Sequence, residues 1–245
     1  MDTMKIIESK NNQTAKYVRE LLNDKKFRKS EGRFVLEGPK FLNLTKSPTL
    51  VVFESGKESP TNLEQNTYTT TPEIFKSISD TQTNQGILAV FDFKVTPFSS
   101  NQKGKMLLLD CVQDPGNLGA AVRSAVAFGF NKIILFNQCA DPFSPKAARA
   151  SAGAVLDAEF FKLENESDLS EHFIIAADAS GESVVDYLWP NEYILAIGSE
   201  GLGISAEIKK YCKKTLAVPI DNVESLNAAV SAGILLFCAS KNIRS

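Results

Sequence analysis

The stretch "LLLDCVQDPGNLGAAVR", residues 107–123, decides the fold. Its leucines read as a buried strand ending at Asp110, and Asp114, Pro115, Gly116 and Asn117 read as a turn. The small and apolar residues that follow read as a helix, with Asn117 placed to cap it by accepting from its free N–H groups. The helix runs on through "SAVAFGF" (124–130), where Gly129 is suited to end it. Strand, loop and helix in that order are the repeating unit of an α/β protein. One residue does not fit a bare scaffold: Arg123 sits inside this helix with no acidic residue within a turn on either side.

Working outward, the same texture recurs. "MLLLD", "KIILF", "FIIAAD", "YILAIG" and "TLAVP" are compact apolar runs of the kind buried on both faces of a parallel sheet. Helical segments separate most of them, so a parallel-sheet domain with helices on both sides is expected over residues 106–245. Residues 95–105 are polar and contain Pro97, Ser99, Ser100 and Gly104, which reads as a linker. Residues 1–94 mix short strands ("RFVLE", "TLVVFES", "GILAVFDF") with helices, giving a small α/β domain. Within it, residues 14–29 place Tyr17, Leu21 and Leu22 at helical spacing, predicting one helix with a buried stripe and a basic face.

Composition narrows the classes. A chain of 245 residues with 43% hydrophobic and 23% charged residues is an ordinary globular protein of two domains. It has no apolar run long enough to span a membrane, and "MDTMKIIESK" carries no secretion signal. Four cysteines without a CxxC pair suit free thiols in the cytoplasm. With His172 as the single histidine, neither a metal site nor a histidine base is expected. Net charge is −2, yet residues 1–46 hold eleven Lys and Arg against six Asp and Glu, a balance of +5, and the rest carries −7. A polyanion contact confined to one end fits this asymmetry, and so does a solvated helix face.

Two further stretches accompany the first. "YILAIGSEGLGIS" (193–205) opens a strand onto Gly198, Gly201 and Gly203, with Glu200 at its mouth. The order is GxxGxG, unlike a dinucleotide fingerprint, and no GxxxxGK[ST] occurs. Such glycines let a ligand approach the backbone closely. "LAVPIDNVESLNAAVSAGILLF" (216–237) ends a strand at Pro219 and begins a helix near Ser225, rich in small residues suited to a core or subunit interface. Open α/β sheets bind ligands beyond the C-terminal ends of their strands, and all three stretches lie at such ends.

Taken in order and spacing, "DPGNLGAAVRSAVAFGF", "IGSEGLGIS" and "VPIDNVESLNAAVSAGILLF" resemble the three motifs of the SpoU (TrmH-like) RNA ribose 2′-O-methyltransferases, of the SPOUT class. "DPFSPKAARASAG" extends the likeness, and residues 9–42 with "TQTNQGILAVF" resemble the family's substrate-binding domain. The resemblance implies a deep trefoil knot in the C-terminal domain, S-adenosylmethionine as cofactor, RNA (ribosomal more than transfer) as substrate, and a homodimer. It implies that Arg123 acts in the reaction, that Asn117 shapes the first loop, and that Glu200 orients the arginine. Ser225 and Asn227 would face the reacting centre, and Gly198, Ile220 and Leu226 would line the cofactor pocket. Lys25, Lys26, Arg28 and Lys29, with Lys146, Arg149 and Ser151, are the candidates for gripping RNA. The sequence departs from the family at "VPIDNVESLN", one residue short, with Asn222 near a customary glycine; asparagine tolerates positive φ better than most residues. A SPOUT module that binds RNA without turnover is the alternative, and an unrelated doubly wound nucleotide-binding enzyme is a third reading.

Overall fold

The computed structural model describes residues 5–39, 41, 46–57, 66–199 and 201–241. They form two compact units: the chain up to Phe93 together with Phe143–Leu156, and Lys94–Pro142 together with the chain from Asp157 on.

The first unit runs β1 (Lys5–Ile7), α1 (Gln13–Asn23), α2 (Lys25–Glu31), β2 (Arg33–Glu37), β3 (Leu50–Glu54), β4 (Thr67–Thr70), α3 (Pro72–Ser77) and β5 (Ile87–Asp92). Its mixed sheet has the order β1-β4-β3-β5-β2. β4 pairs in parallel with β1 and β3, and β5 pairs antiparallel with β3 and β2. Helix α1 starts where Asn12 accepts from the Thr14 N–H, and it buries Ala15, Val18, Leu21 and Leu22.

The single helix expected over 14–29 is two helices. Asp24 takes an extended conformation, and its carboxylate accepts from the Lys26 and Phe27 N–H groups, which starts α2 afresh. The break turns Arg28 inward, so its assignment to an RNA-gripping face is overturned. Arg28 is 5% exposed, and its Nη1 donates to the Leu21 carbonyl (2.8 Å) and the Leu22 carbonyl (3.1 Å). It satisfies carbonyls that the end of α1 would otherwise leave bare. Lys25, Lys26 and Lys29 are exposed.

A segment read from sequence as part of the second domain belongs to this first unit. It contains α5 (Pro145–Ala150), capped by Ser144, whose hydroxyl accepts from the Ala147 N–H. An aromatic cluster explains the attachment: Phe143 stacks on Phe93 with ring centroids 3.8 Å apart and leans on Phe34 at 5.1 Å. Ser151 is buried and donates to the Ala148 carbonyl, so it cannot grip phosphates as expected.

The second unit comprises β6 (Val95–Pro97), β7 (Lys105–Asp110), α4 (Pro115–Ala127), β8 (Lys132–Phe136), β9 (Glu159–Lys162), β10 (Ile174–Ser183), β11 (Tyr193–Ile197), α6 (Ala206–Lys209), β12 (Cys212–Ala217) and α7 (Ala228–Lys241). The seven strands lie in the order β12-β10-β11-β7-β8-β9-β6 and every pairing is parallel. Met106, Leu108, Ile134, Ile194 and Ala196 face one core that Ile204 and Ile208 help close. The alternate residues Leu107, Leu109, Ile133 and Leu195 are equally buried, so both faces are covered. α4 packs on α7, and α7 on β11. The stretch read as a linker is partly structural: β6 pairs with β9, and Phe98 is buried in the core.

Removing the Arg28 guanidinium tests its role. Arg28→Met leaves two buried carbonyls short of a donor, an expected loss of about 1–3 kcal/mol in urea denaturation. Lys25→Glu, on the exposed face, shifts stability by less than about 0.5 kcal/mol.

A cleft at the C-terminal ends of the parallel strands

The second unit concentrates its polar chemistry at one edge of the sheet. At the end of β7, Asp110 is wholly buried. One of its oxygens accepts from the Asn137 side-chain amide (2.8 Å) and the other from the Ser205 N–H (2.7 Å), which lies 95 residues on. The loop after β8 and the loop after β11 are thereby tied to β7.

Between β7 and α4 the cap differs from expectation. Asp114, not Asn117, caps α4: its carboxylate accepts from the Asn117 N–H at 2.9 Å, and Pro115 occupies the first helical position. Proline suits that position because its missing N–H would have no partner there. The Asn117 side chain is thus released for another task. Its Oδ1 accepts from Asn227 Nδ2 at 3.0 Å, joining the first and third stretches across 110 residues. Asn227 also starts α7, accepting from the Ala229 N–H (2.9 Å) and the Val230 N–H (3.3 Å), so the helix begins at Ala228, three residues beyond Ser225. At the other end of α4, Gly129 has φ of 83°, as a helix-ending glycine should. Asn222 has φ of 63°, the conformation for which a glycine is customary.

The loop after β11 folds on itself. Ser199 and Gly203 exchange two backbone hydrogen bonds. A Cβ on Gly198 would stand 2.1 Å from the Gly203 carbonyl carbon and 2.4 Å from the Ile204 nitrogen. Gly198 therefore makes room for the chain's own backbone, where sequence reasoning had assigned that room to a ligand. Glu200 lies outside the described residues.

This loop, the middle of β10 (Ala177–Ala179) and the segment after β12 enclose a cleft of about 200 Å³. Gly198, Ile220, Ser225 and Leu226, all selected from sequence, line it together. Leu216 and Leu235 add apolar wall, and Ser199 and Ser231 add hydroxyls. Asp178 was missed. It lies where the β10–β12 ladder skips from Ala177 to Glu182, and its carboxylate accepts from the Ser180 N–H and hydroxyl. Those hydrogen bonds, with Lys209 at 3.3 Å, hold its carboxyl below the ordinary range, so the cleft wall is anionic near neutral pH. A signal was present: "IIAAD", like "LLLD", ends an apolar run on an aspartate.

Arg123 does not line the cleft. It is exposed on α4 and makes no hydrogen bond or ion pair among the described residues. Lys146 and Arg149 are exposed on α5 in the first unit, the same unit as Lys25, Lys26 and Lys29. His172 precedes β10, at the opposite edge from the cleft; burial and Lys103 lower its pKa, and it leans on the Phe98 ring at 5.5 Å. Among the described residues, no cluster of His, Cys, Asp and Glu could hold a metal ion, and no helix is long and apolar enough to cross a membrane.

A parallel sheet with a glycine-loop cleft at its C-terminal edge, completed by a returning C-terminal helix, is the architecture of an α/β enzyme domain built for a small-molecule cofactor. The SpoU rRNA methylase family model matches residues 104–237, and a substrate-binding domain model of the MRM3-like type matches residues 12–89. The chain belongs to the SpoU rRNA methylase family. It is 30% identical to the 23S rRNA (guanosine(2553)-2′-O)-methyltransferase RlmP of Bacillus subtilis, over 96% of this chain and 98% of that one. It is 32% identical to ribosomal RNA small subunit methyltransferase G 2 of Syntrophobacter fumaroxidans, of which it spans 49%. Among solved structures, a TrmH-family protein from Porphyromonas gingivalis superposes with a TM-score of 0.78 at 33% identity, over 94% of this chain and 97% of the other.

Gly198→Ala tests the loop geometry. With backbone at 2.1 Å the loop must open, so the expected result is loss of measurable cofactor binding by calorimetry with the secondary structure retained. Retained binding would show that the cofactor does not depend on the cleft this loop shapes.

Proposed function

We propose that the protein transfers a methyl group from S-adenosylmethionine to a ribose 2′-hydroxyl of ribosomal RNA. The observation that carries this reading is the convergence of Gly198, Ile220, Ser225 and Leu226 on one cleft, beside the Asn117–Asn227 hydrogen bond, in a SpoU-family chain. The cleft suits the cofactor chemically. Ile220, Leu226 and Leu216 offer apolar walls for an adenine ring, serine hydroxyls and loop backbone offer polar partners, and Asp178 offers an anion for a cationic ligand. The cofactor supplies an electrophilic methyl on a sulfonium.

The chain's own residues then have distinct tasks. The Asn117–Asn227 pair fixes the start of α4 against the start of α7. Arg123, in the middle of α4, presents an unengaged guanidinium to RNA. Arginine stays protonated at any working pH, which favours binding the neighbouring phosphate and stabilising the developing alkoxide over acting as base. Glu200 would orient it. Lys25, Lys26, Lys29 and Lys146 supply exposed positive charge for the phosphate backbone.

The trefoil knot belongs to this reading. Its support is the route of the chain: β12 lies at the sheet edge, and the following residues return along the cleft to α7, which packs on α4. So does a cytoplasmic homodimer. Val230 and Phe237, two turns apart on α7, are 49% and 43% exposed, and Phe128 lies beside Phe237 with ring centroids 5.8 Å apart.

The test is methyl transfer from labelled S-adenosylmethionine to ribosomal and transfer RNA, with the 2′-O-methyl position mapped. Arg123→Ala should lower kcat at least about 100-fold with cofactor affinity unchanged. Arg123→Lys should not rescue it, because a point charge lacks the planar fork. Activity within tenfold of wild type in either variant removes Arg123 from the reaction.

For the dimer, Phe237→Asp should give monomers in sedimentation at micromolar concentration. An active wild-type monomer would remove the dimer.

A further inference from the structure

The first unit contains a cleft of its own, of about 330 Å³, that none of the chemistry above uses. It is within the size range of small-molecule sites, roughly 300–1,000 Å³. Leu22, Phe41, Pro145 and Ala148 give it an apolar floor. A carboxylate arrangement shapes its wall. Glu37 accepts from the Ser79 hydroxyl (3.0 Å), the Thr81 hydroxyl (2.7 Å) and the Asp80 N–H, so the 79–81 loop is clasped in one position. Asp80 is thereby presented to Arg149, which donates to its Oδ2 at 2.8 Å.

Two polar groups at the rim are left uncommitted. Gln85 sits against Gly38, whose φ is 101°: a Cβ there would lie 2.6 Å from Gln85 Oε1. The Gln85 amide and the Thr83 hydroxyl make no hydrogen bond among the described residues, and both side chains are exposed at the cleft.

We infer that this cleft takes an unpaired, amino-bearing nucleobase of the RNA substrate. The inference rests on the proposed function for its macromolecule, and on the cleft for the rest. An apolar floor suits the face of a base, and an uncommitted amide suits its edge. The local charge selects the base over the phosphate. Glu37, Asp80 and Arg149 sum to −1, so the interior disfavours an anion and favours the exocyclic amino group of adenine, cytosine or guanine. Uracil has no such group. Carboxylate oxygens carry more acceptor sites than their present donors occupy, and Gln85 Oε1 adds another. The phosphates would stay outside, near Lys146 on the exposed side of α5.

The experiment uses full-length protein and fluorescence anisotropy with labelled hexaribonucleotides of adenosine, cytidine and uridine, plus an abasic hexamer. The adenosine and cytidine hexamers should bind at least about fivefold tighter than the other two. Gln85→Ala, and Thr83→Trp as a block at the rim, should each abolish that preference while leaving the thermal unfolding midpoint unchanged. Equal binding of all four hexamers, or variants that keep the preference, overturns the inference. Wild-type methyl transfer separates the two readings. Base preference without methyl transfer sinks the proposed function alone, and methyl transfer without base preference sinks the cleft's role alone.

Discussion

The Asp110 carboxylate has no exposed surface, so its oxygens need hydrogen-bond donors from the protein, and it finds two, from loops far apart in the chain. That single requirement fixes the end of β7 to the loop after β8 and to the start of α6. Once Ser205 is held there, the glycine loop has one end on β11 and the other on Asp110. It closes through its own Ser199–Gly203 bonds, with Gly198 pressed against backbone. The cleft lies between this closed loop, the Ala177–Ala179 stretch of β10 and the segment after β12. Breaking a buried, hydrogen-bonded carboxylate costs several kcal/mol, more than a surface ion pair contributes.

Much of this was legible from residue pattern. Buried parallel strands need apolar side chains on both faces, so β7, β8 and β11 announce themselves as unbroken runs, and β10 and β12 do so over part of their length. β6 and β9 do not, since "VTP" and "EFFK" are short segments whose ends are polar or exposed. The positive φ at Asn222 was readable because few other residues accept it. Helix starts were harder. "DPGN" offers two capping side chains, and proline at the first helical position favours the residue before it, so Asp114 caps and Asn117 is free to bind Asn227.

Arg28 shows why charge on a presumed helix face misleads. A basic residue among lysines looks solvated, yet position 28 lies seven residues beyond Leu21, on the continuation of the buried stripe. The break at Asp24 brings the end of α1 within reach of the guanidinium, and two carbonyls need a donor. The long stem can be buried while the head makes directed hydrogen bonds, which lysine's compact ammonium does less well. Gly198 has two neighbours to suit: its missing Cβ leaves room for the Gly203–Ile204 backbone, and it lines the cleft besides.

Arg123 raises the opposite problem, a charge with too little around it. In water, two unit charges 4 Å apart interact by only about 1 kcal/mol, and by about 4 kcal/mol at a partly screened protein surface. An exposed guanidinium therefore stabilises little until something excludes solvent from it. Under the proposed reaction that something is the RNA itself: docking its backbone over α4 displaces water and brings phosphate and ribose to the charge together. The small side chains one turn from Arg123, half-buried Ala120 and exposed Ala127, would have a consequence here, because they would let a broad substrate approach the helix closely. A helix of long polar residues would hold the same RNA further off and leave the charge wet. Under that proposal the plainness of the helix and the isolation of its arginine would serve one end: strong electrostatic stabilisation would arise only with substrate seated, and the exposed guanidinium leaves no unpaired charge buried in the unbound protein.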